Sequence, residues 1–222
     1  MANEALPDAL ILDFGGVLYD IDYDAPVRAF KQLGIEDFAG IYHQAFQSQA
    51  FDQLECGRIT PAEFYTFLEG HCASGTTRQQ VIDAWNCILV GMHASRIEMV
   101  RALGKQTRLF LFSNTNVIHA GVFEAWMEKH IGLSAFRNVF EGIHYSHELG
   151  FRKPDSASFL ALCRQHEVNP AKALFIDDSK QHVEGAEHAG LETHWHAPVT
   201  DDVAIWLSQR GFKLPESAFL PD

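Results

Sequence analysis

Residues 11–22 read ILDFGGVLYDID, and this stretch carries the clearest indication of the fold. An apolar run comes first, the carboxylate of Asp13 ends it, and Gly15 and Gly16 follow shortly after. A short run that is apolar at every position is typical of a parallel strand covered by helices on both faces. Because a carboxylate is costly to bury, its place at the end of such a strand indicates either a turn or a functional site.

Further apolar runs and helical patterns alternate along the chain. The five apolar stretches are residues 9–12, 109–112, 139–145, 173–176 and 193–196. Between them, ASRIEMVRALGKQ, KPDSASFLALCRQHEV and KQHVEGAEHAG place apolar residues at helical spacing. Pro154 is expected in the first turn of the second segment, and Gly104 and Gly190 suit the ends of the other two. Strands that alternate with helices predict a doubly wound, Rossmann-like α/β parallel sheet.

One long segment after the first strand carries only helical signals. In ITPAEFYTFLEGH, Thr60 and Glu63 predict a capping box at the start of a helix. EDFAGIYHQAFQSQAF and TTRQQVIDAWNCILVGM have similar helical patterns. We therefore predict an all-helical cap domain at residues 21–94, inserted into an α/β core formed by residues 1–20 and 95–222.

Side chains that suit phosphate chemistry follow the predicted strands. They are Asp13, Ser113, Asn114, Lys153, Asp177 and Asp178. Ligands of open α/β sheets bind at the carboxyl ends of the strands, so these side chains are expected to converge. Hydroxyl, amide and lysine groups suit a phosphate, and converging carboxylates need a hard cation such as Mg²⁺. Each residue alone is more often a cap, a turn or a surface group, and their joint order is what indicates a site.

The composition limits the class of protein. The chain has 222 residues, of which 47% are hydrophobic and 21% charged, as expected of a folded globular protein. Its net charge of −12 argues against a nucleic-acid partner, although it leaves room for a small phosphorylated substrate. The N-terminus lacks a signal-peptide pattern and no apolar run reaches the ~20 residues of a membrane span, so a cytoplasmic location is expected. The cysteines form no CxxC pair, which predicts isolated thiols.

Four stretches, in chain order, resemble the motifs of the haloacid dehalogenase (HAD) superfamily. ILDFGGVL is similar to its nucleophile motif, LFLFSNTN to its phosphate-binding motif, GFRKPD to its lysine motif and ALFIDDS to its acidic motif. The helical insert resembles the cap of the first subclass. The resemblance covers nearly the whole chain and is closest to small capped sugar-phosphate phosphatases, including a bacterial glucose-1-phosphate phosphatase. It implies a Mg²⁺-dependent phosphomonoester hydrolase of a small soluble phosphate, with a sugar phosphate as the leading candidate.

The resemblance also implies a role for each matching residue. Asp13 would be the nucleophile that forms an aspartyl-phosphate, and Lys153 would stabilise both the nucleophile and the phosphate. Ser113 and the backbone amide of Asn114 would hold the phosphoryl oxygens. The Mg²⁺ ligands would be Asp13, the carbonyl of Gly15, Asp177 and Asp178, the last bound directly or through water.

Gly15 and His182 depart from the family pattern. An acid usually stands at the position of Gly15 and protonates the leaving oxygen, a contribution of typically ~10²–10⁴-fold. Three explanations stay open: Asp20 or Asp22 substitutes, the leaving group is a good one such as an anomeric hydroxyl or an acyl group, or the protein is a poor catalyst. The similar sugar-phosphate branch also carries glycine there, which favours the second explanation. Where the family commonly has Asn, His182 either bonds to the site or faces solvent.

Two other functions are alternatives. Gly15 suggests a non-catalytic or weakly catalytic binding or regulatory protein, but a pure binder has no need of so costly a cluster of buried charge. Dehalogenases of the superfamily need no metal, typically carry tyrosine at the position of Gly15 and lack the paired acids. Asp177 and Asp178 therefore argue against a 2-haloacid dehalogenase.

Two histidine pairs, His144 with His147 and His194 with His196, have a spacing that invites comparison with metal sites. In HWH both rings would lie on one face of a strand. The sequence shows no Asp, Glu or Cys partner at a convincing spacing around either pair. Ordinary surface or half-buried histidines are the favoured interpretation.

The predicted cap contains one loop, FDQLECGRIT, that could approach the substrate. Glu55 and Arg58 are its candidates for contact with the leaving group. A plain turn between helices at Gly57 explains the same residues equally well.

Overall fold

The computed structural model describes residues 5–38, 40, 49–197 and 201–219. Its described strands are β1 (Ala9–Leu12), β2 (Asp20–Ile21), β3 (Leu89–Gly91), β4 (Arg108–Ser113), β5 (Gly142–Tyr145), β6 (Ala173–Asp177) and β7 (Glu192–Trp195). Five of them form one sheet in the order β5-β4-β1-β6-β7, and every neighbouring pair is parallel. This confirms the predicted doubly wound α/β sheet.

Strand β1 lies at the centre of the sheet, where both faces are covered. Its four residues are fully buried, and alternate side chains enter two different hydrophobic clusters. Leu10 and Leu12 pack in one cluster, whereas Ala9 and Ile11 pack in the other. This two-sided burial explains why the run is apolar at every position and why Asp13 emerges at the carboxyl end of the central strand.

Helices connect the strands. The described α-helices with defined bounds are α1 (Asp24–Gln32), α2 (Gln49–Glu55), α3 (Pro61–Glu69), α4 (Arg78–Asn86), α5 (Ala94–Leu103), α6 (Val117–His130), α7 (Leu133–Arg137), α8 (Ser146–Leu149), α9 (Ser156–Gln165), α10 (Lys180–His188) and α11 (Val203–Gln209). Short 3₁₀ helices span Pro170–Lys172 and Glu216–Ala218. Gly190, with φ +87°, follows the end of α10 as predicted.

Helices α1 to α4 lie between the first and second strands of the core sheet. Thr60 and Glu63 form the predicted capping box of α3. Buried aromatic side chains, among them Phe30, Phe64 and Trp85, give these helices a hydrophobic cluster of their own. The first predicted helix of the insert falls mostly on residues outside the described ranges. The boundaries of the helical cap at residues 21–94 stay a prediction.

Two local predictions are wrong. The insert is not purely helical, because β2 and β3 pair antiparallel where the chain leaves the core and returns to it. Strands this short leave no periodic signal in a sequence. Helix α9 begins at Ser156, and the side chain of Asp155 caps it by accepting from the backbone N–H of Ala157 at 2.9 Å. Pro154 therefore precedes the helix instead of lying in its first turn.

Among the helices that the structure describes, none combines the length and the hydropathy that a membrane span requires. The thiols of Cys56, Cys72, Cys87 and Cys163 are all free, as the sequence predicts.

Candidate active site

Asp13 lies directly beyond β1, and its side chain is largely buried (7% exposed). Nζ of Lys153 donates to Oδ1 of Asp13 at 2.8 Å. Burial and then the negative charge of Asp177 raise the pKa of Asp13 to about 6, although Lys153 acts in the opposite direction. The carboxylate is thus fixed in direction and lies where negative charge exceeds positive charge.

Lys153 is fully buried (0% exposed) and bridges two acids. Besides Asp13, its Nζ donates to Oδ2 of Asp177 at 2.6 Å. Burial works to lower the pKa of Lys153, but the two carboxylates outweigh it and raise the pKa above its usual value. Asn114 holds the lysine backbone: its Oδ1 accepts from Lys153 N at 2.9 Å and its Nδ2 donates to Lys153 O at 2.8 Å. Lys153 is therefore a fixed cation.

Asp177 ends β6 and is also fully buried (0% exposed). Its Oδ1 accepts from the backbone N–H of Ser179 at 2.8 Å, and Nδ1 of His182 lies 3.0 and 3.1 Å from its two oxygens. Burial works to raise the pKa of Asp177, but Lys153 and His182 hold it below its usual range. Nε2 of His182 lies 3.4 Å from Nδ2 of Asn114, so a ring protonated on Nδ1 satisfies both neighbours. The ring of His182 therefore bonds to the site and does not simply face solvent.

Asp178 faces the same two acids from the next position along the chain. Its Oδ2 accepts from the hydroxyl of Tyr23 at 3.2 Å, and its backbone oxygen accepts from Nε1 of Trp195 at 2.8 Å. Burial, followed by the charges of Asp13 and Asp177, raises the pKa of Asp178 to about 7. Three carboxylates thus oppose one another's ionisation at one edge of the sheet.

The two glycines after the nucleophile position meet different constraints. At Gly16, φ is +75° and a Cβ would clash with Oδ2 of Asp178, so only glycine admits the acid this closely. At Gly15 a Cβ would lie 3.1 Å from Cδ1 of Ile21, a side chain of β2. Ile21 therefore crowds the space where the side chain of the usual family acid would begin.

The acidic cluster fits a magnesium ion. An oxygen of Asp13, an oxygen of Asp177 and a ring nitrogen of His182 lie within 4.8 Å of one another, and Asp178 adds a further carboxylate. Mg²⁺ prefers oxygen ligands of this kind. A divalent cation would also offset the excess negative charge that raises the pKa values of Asp13 and Asp178.

Ser113 and Asn114 lie beside Asp13 because β4 is the neighbour of β1 in the sheet. Ser113 is the buried last residue of β4. Helix α6 follows, with Asn116 as its cap, so a helix N-terminus begins beside these two residues. Such an arrangement of a hydroxyl, an amide and a helix N-terminus suits an anion.

A cavity of about 590 Å³ opens over Asp13. We define its floor as the polar side chains of Asp13, Ser113, Asn114, Asp178 and His182, and its roof as the apolar side chains of Ile21, Val27, Phe38, Trp85 and Leu89. His119 also lines the cavity, and burial lowers its pKa to about 4, so its imidazole is neutral. An open cavity is what we expect of an enzyme, whereas a filled one would favour a binding protein.

The two acids considered as substitutes at Gly15 do not reach this cavity. Asp20 is exposed on β2, and Asp22 accepts from the backbone N–H of Asp24 at 2.9 Å, outside the cavity lining. Among the described residues, Asp24 and Glu55 are the lining acids beyond the floor. Burial raises the pKa of Glu55, although the guanidinium of Arg152 opposes this from 2.6 Å.

The loop that carries Glu55 packs directly on the core. Arg58 donates to the backbone oxygen of Gly150 at 3.2 Å and does not line the cavity. Gly57 has φ +66°, and a Cβ there would clash with the carbonyl of His147. Of the two candidates for contact with a leaving group, the structure therefore places Glu55 in the cavity and Arg58 outside it.

Residues 7–190 match the family model described as haloacid dehalogenase-like hydrolase. The chain belongs to this family. The match includes the strand ends that carry Asp13, Ser113, Lys153 and Asp177, together with the inserted helices. The protein is thus a HAD hydrolase.

Three relatives of this HAD hydrolase illustrate the likeness. A D-ribitol-5-phosphate phosphatase from Bacteroides thetaiotaomicron is 27% identical over 187 residues, which cover 83% of this chain and 89% of the relative. A sesquiterpene phosphatase from Aspergillus oryzae is 27% identical over 190 residues, or 82% and 86% of the two chains. A HAD family enzyme from Bacteroides thetaiotaomicron, solved in complex with magnesium and inorganic phosphate, has a TM-score of 0.76 at 26% identity, with 91% and 100% coverage. The similar relatives with a named activity are thus phosphatases.

The sequence did not reveal all the contacts around the acids of this HAD hydrolase. Tyr23 reaches Asp178 only because β2 and β3 pair beside the site, and no motif announces that pairing. Trp195 reaches Asp178 because β7 is the neighbour of β6. The side chain of Asn114 positions Lys153, a contact that the phosphate-binding motif alone does not predict.

Proposed function

We propose that this HAD hydrolase is a Mg²⁺-dependent phosphomonoester hydrolase that acts through an aspartyl-phosphate. The observation that carries the proposal is the contact of Asp13 with the buried Lys153 at 2.8 Å, on the floor of an open cavity. A carboxylate held by a fixed cation, with a hydroxyl and an amide beside it, suits attack on phosphorus. The HAD relative solved with magnesium and inorganic phosphate supports the same chemistry.

In the proposed reaction an oxygen of Asp13 attacks phosphorus, so that a carboxylate–phosphorus bond forms and the ester bond to the leaving oxygen breaks. The hydroxyl of Ser113 and the backbone amide of Asn114 hold phosphoryl oxygens, and Lys153 offsets the negative charge. Water then hydrolyses the aspartyl-phosphate, which releases inorganic phosphate and restores Asp13. Closure of the cavity by the inserted helices would exclude water during the first step.

Four groups would hold the metal ion: Asp13, the carbonyl of Gly15, Asp177 and Asp178, the last directly or through water. When bound, Mg²⁺ stabilises the charge on the phosphoryl oxygens as a Lewis acid. Ser179 and His182 fix the carboxylate of Asp177, which orients it for coordination.

A sugar phosphate is the first candidate substrate. Because Gly15 supplies no acid, a leaving group that departs readily, such as an anomeric hydroxyl, needs less protonation than a simple alcohol. The D-ribitol-5-phosphate phosphatase among the relatives supports a small polyhydroxy substrate.

The cavity roof favours a second class of substrate, the phosphate ester of an apolar alcohol. Sugar hydroxyls placed against Val27, Trp85 and Leu89 would lose hydrogen bonds to water that these side chains replace only at the Trp85 indole. The sesquiterpene phosphatase among the relatives supports such a substrate. The two classes differ in the contacts they need from the roof and not in the chemistry at the floor.

Phosphate release from sugar phosphates, polyol phosphates and alkyl or isoprenoid monophosphates, with and without Mg²⁺, tests the proposal. We expect turnover that depends on the metal and falls by at least ~10⁴-fold in Asp13→Asn. Asp20→Asn changes an exposed carboxylate nearby and should leave turnover unchanged. Absence of turnover across the panel, with Mg²⁺ demonstrably bound, would favour the non-catalytic binding protein instead.

A further inference from the structure

His194, His196 and Asp201 converge beside the carboxyl end of β7. Nε2 of His194 lies 2.8 Å from Oδ2 of Asp201, and Nδ1 of His196 lies 3.2 Å from the same oxygen. One ligand atom from each residue lies within 4.8 Å of the other two. The sequence shows the HWH pair, but only the tertiary structure supplies the carboxylate that completes the set.

We propose that these three residues form a second metal site, which binds a late first-row divalent cation of the Zn²⁺ type. Two imidazoles and one carboxylate are a typical donor set for such ions. Bonds of ~2.0–2.1 Å place tetrahedral ligand atoms about 3.3 Å apart. The observed separations of 2.8 and 3.2 Å are close to that spacing, so an ion could replace the shared protons with small side-chain shifts.

The packing around the cluster restricts its ligands. The ring of His194 stacks on Trp206 of α11, with ring centroids 3.8 Å apart. The side chain of His196 is 2% exposed, and its backbone N–H donates to the oxygen of Asp177 at 2.9 Å. Ligands held in place by packing lose little entropy when they bind an ion.

The local charges also suit a bound cation. Burial lowers the pKa of His196, against the opposing hydrogen bond to Asp201, so the neutral imidazole that binds metals is favoured. The nearby guanidinium of Arg96 would repel a cation, but it forms an ion pair with Asp202 at 3.3 Å. Asp201 therefore supplies negative charge at the cluster while Asp202 offsets the arginine.

This site differs in chemistry from the proposed magnesium site. Imidazole-rich sites select zinc-like ions, whereas Mg²⁺ prefers oxygen ligands and keeps several waters. An ion at the cluster would join β7 to the segment that begins α11, next to the backbone of Asp177. Its role would be structural, and it does not depend on the proposed phosphatase activity.

Calorimetric titration of the full chain with Zn²⁺ in saturating Mg²⁺ tests the site, in an Asp13→Asn background that weakens zinc binding at the acidic cluster. We expect one equivalent of Zn²⁺ per chain and a rise in melting temperature on binding. Asp201→Asn and His194→Gln should each weaken binding by at least ~100-fold, because loss of outer-shell partners alone costs ~10–100-fold. His188→Gln, which changes an exposed histidine on α10, should bind as the parent does.

Failure of the parent chain to bind Zn²⁺ would overturn the proposal and leave a hydrogen-bonded network in its place. Binding that survives both Asp201→Asn and His194→Gln would also overturn it. If a variant fails to fold, Co²⁺ added to the parent chain decides the question. Visible absorption of tetrahedral strength supports the nitrogen-rich site, whereas the weak absorption of six-coordinate oxygen ligation contradicts it.

Discussion

The floor and the roof of the cavity are built in different ways. The floor side chains follow β1, β4 and β6, and the parallel sheet brings these strand ends to one edge. The roof side chains come from short strands and helices between Ile21 and Leu89 and share no motif. The comparison indicates that the fold fixes the chemistry at the floor, whereas the inserted segment sets which substrate fits.

The largest effect is expected beneath the floor, at Lys153. Lys153→Met removes the cation between Asp13 and Asp177 and leaves two buried carboxylates unpaired. Loss of one partner from a buried ion pair lowers the free energy of unfolding by ~3–5 kcal/mol, and turnover should be abolished. Denaturant unfolding without Mg²⁺ measures the change, and Lys129→Met on an exposed position of α6 should alter stability by less than ~0.5 kcal/mol. A Lys153→Met protein as stable as the parent would contradict this account.

The second prediction compares two glycines that share a left-handed backbone. Gly16→Ala drives a methyl group into Asp178, whereas Gly75→Ala, at φ +90°, meets no atom within 4 Å. Both carry a backbone strain of ~1–2 kcal/mol, so their difference isolates the clash. Calorimetry should show Mg²⁺ affinity reduced by at least ~100-fold in Gly16→Ala, more than outer-shell changes produce, and unchanged in Gly75→Ala. Equal affinities would remove Asp178 from the proposed ligand set.

The third prediction concerns how the floor holds Asp177. His182→Leu removes the ring contact with its carboxylate and should weaken Mg²⁺ binding by ~10-fold, as for other outer-shell partners. His182→Asn restores a hydrogen-bonding side chain, and we expect affinity within a few-fold (~3-fold) of the parent. If Asn is as damaging as Leu in a Mg²⁺ titration, the bond between His182 and Asn114 matters more than the bond to Asp177.

The smallest effect is expected at the roof. Val27→Thr keeps the side-chain shape and adds a hydroxyl to the cavity lining. The ratio of kcat/KM for an alkyl phosphate to that for a sugar phosphate should fall by ~3- to 10-fold, with little change in Mg²⁺ dependence. Val90→Thr, on an exposed position of β3 that does not line the cavity, is the matched control. A ratio unchanged in Val27→Thr would mean that Val27 does not contact the leaving group.

Much of the floor was predictable because its residues stand at the ends of apolar runs. Asp13 and Asp177 end central strands, so parallel topology alone predicts their convergence, and the structure brings both to Lys153. Their catalytic roles stay a prediction. Asp201 was not predictable as a partner of His194, because its approach depends on the path of the chain after β7.

The sequence by itself determined the parallel sheet, the capped helices of the insert and the ordered set of phosphate-binding and acidic residues. These features depend on local periodicity and on strand ends, which neighbouring residues encode. Only the tertiary structure decided that Ile21 crowds Gly15, that Tyr23 and His182 bond to the acids, and that the roof is apolar. Contacts of that kind join residues far apart in the chain, and packing, not local pattern, selects them.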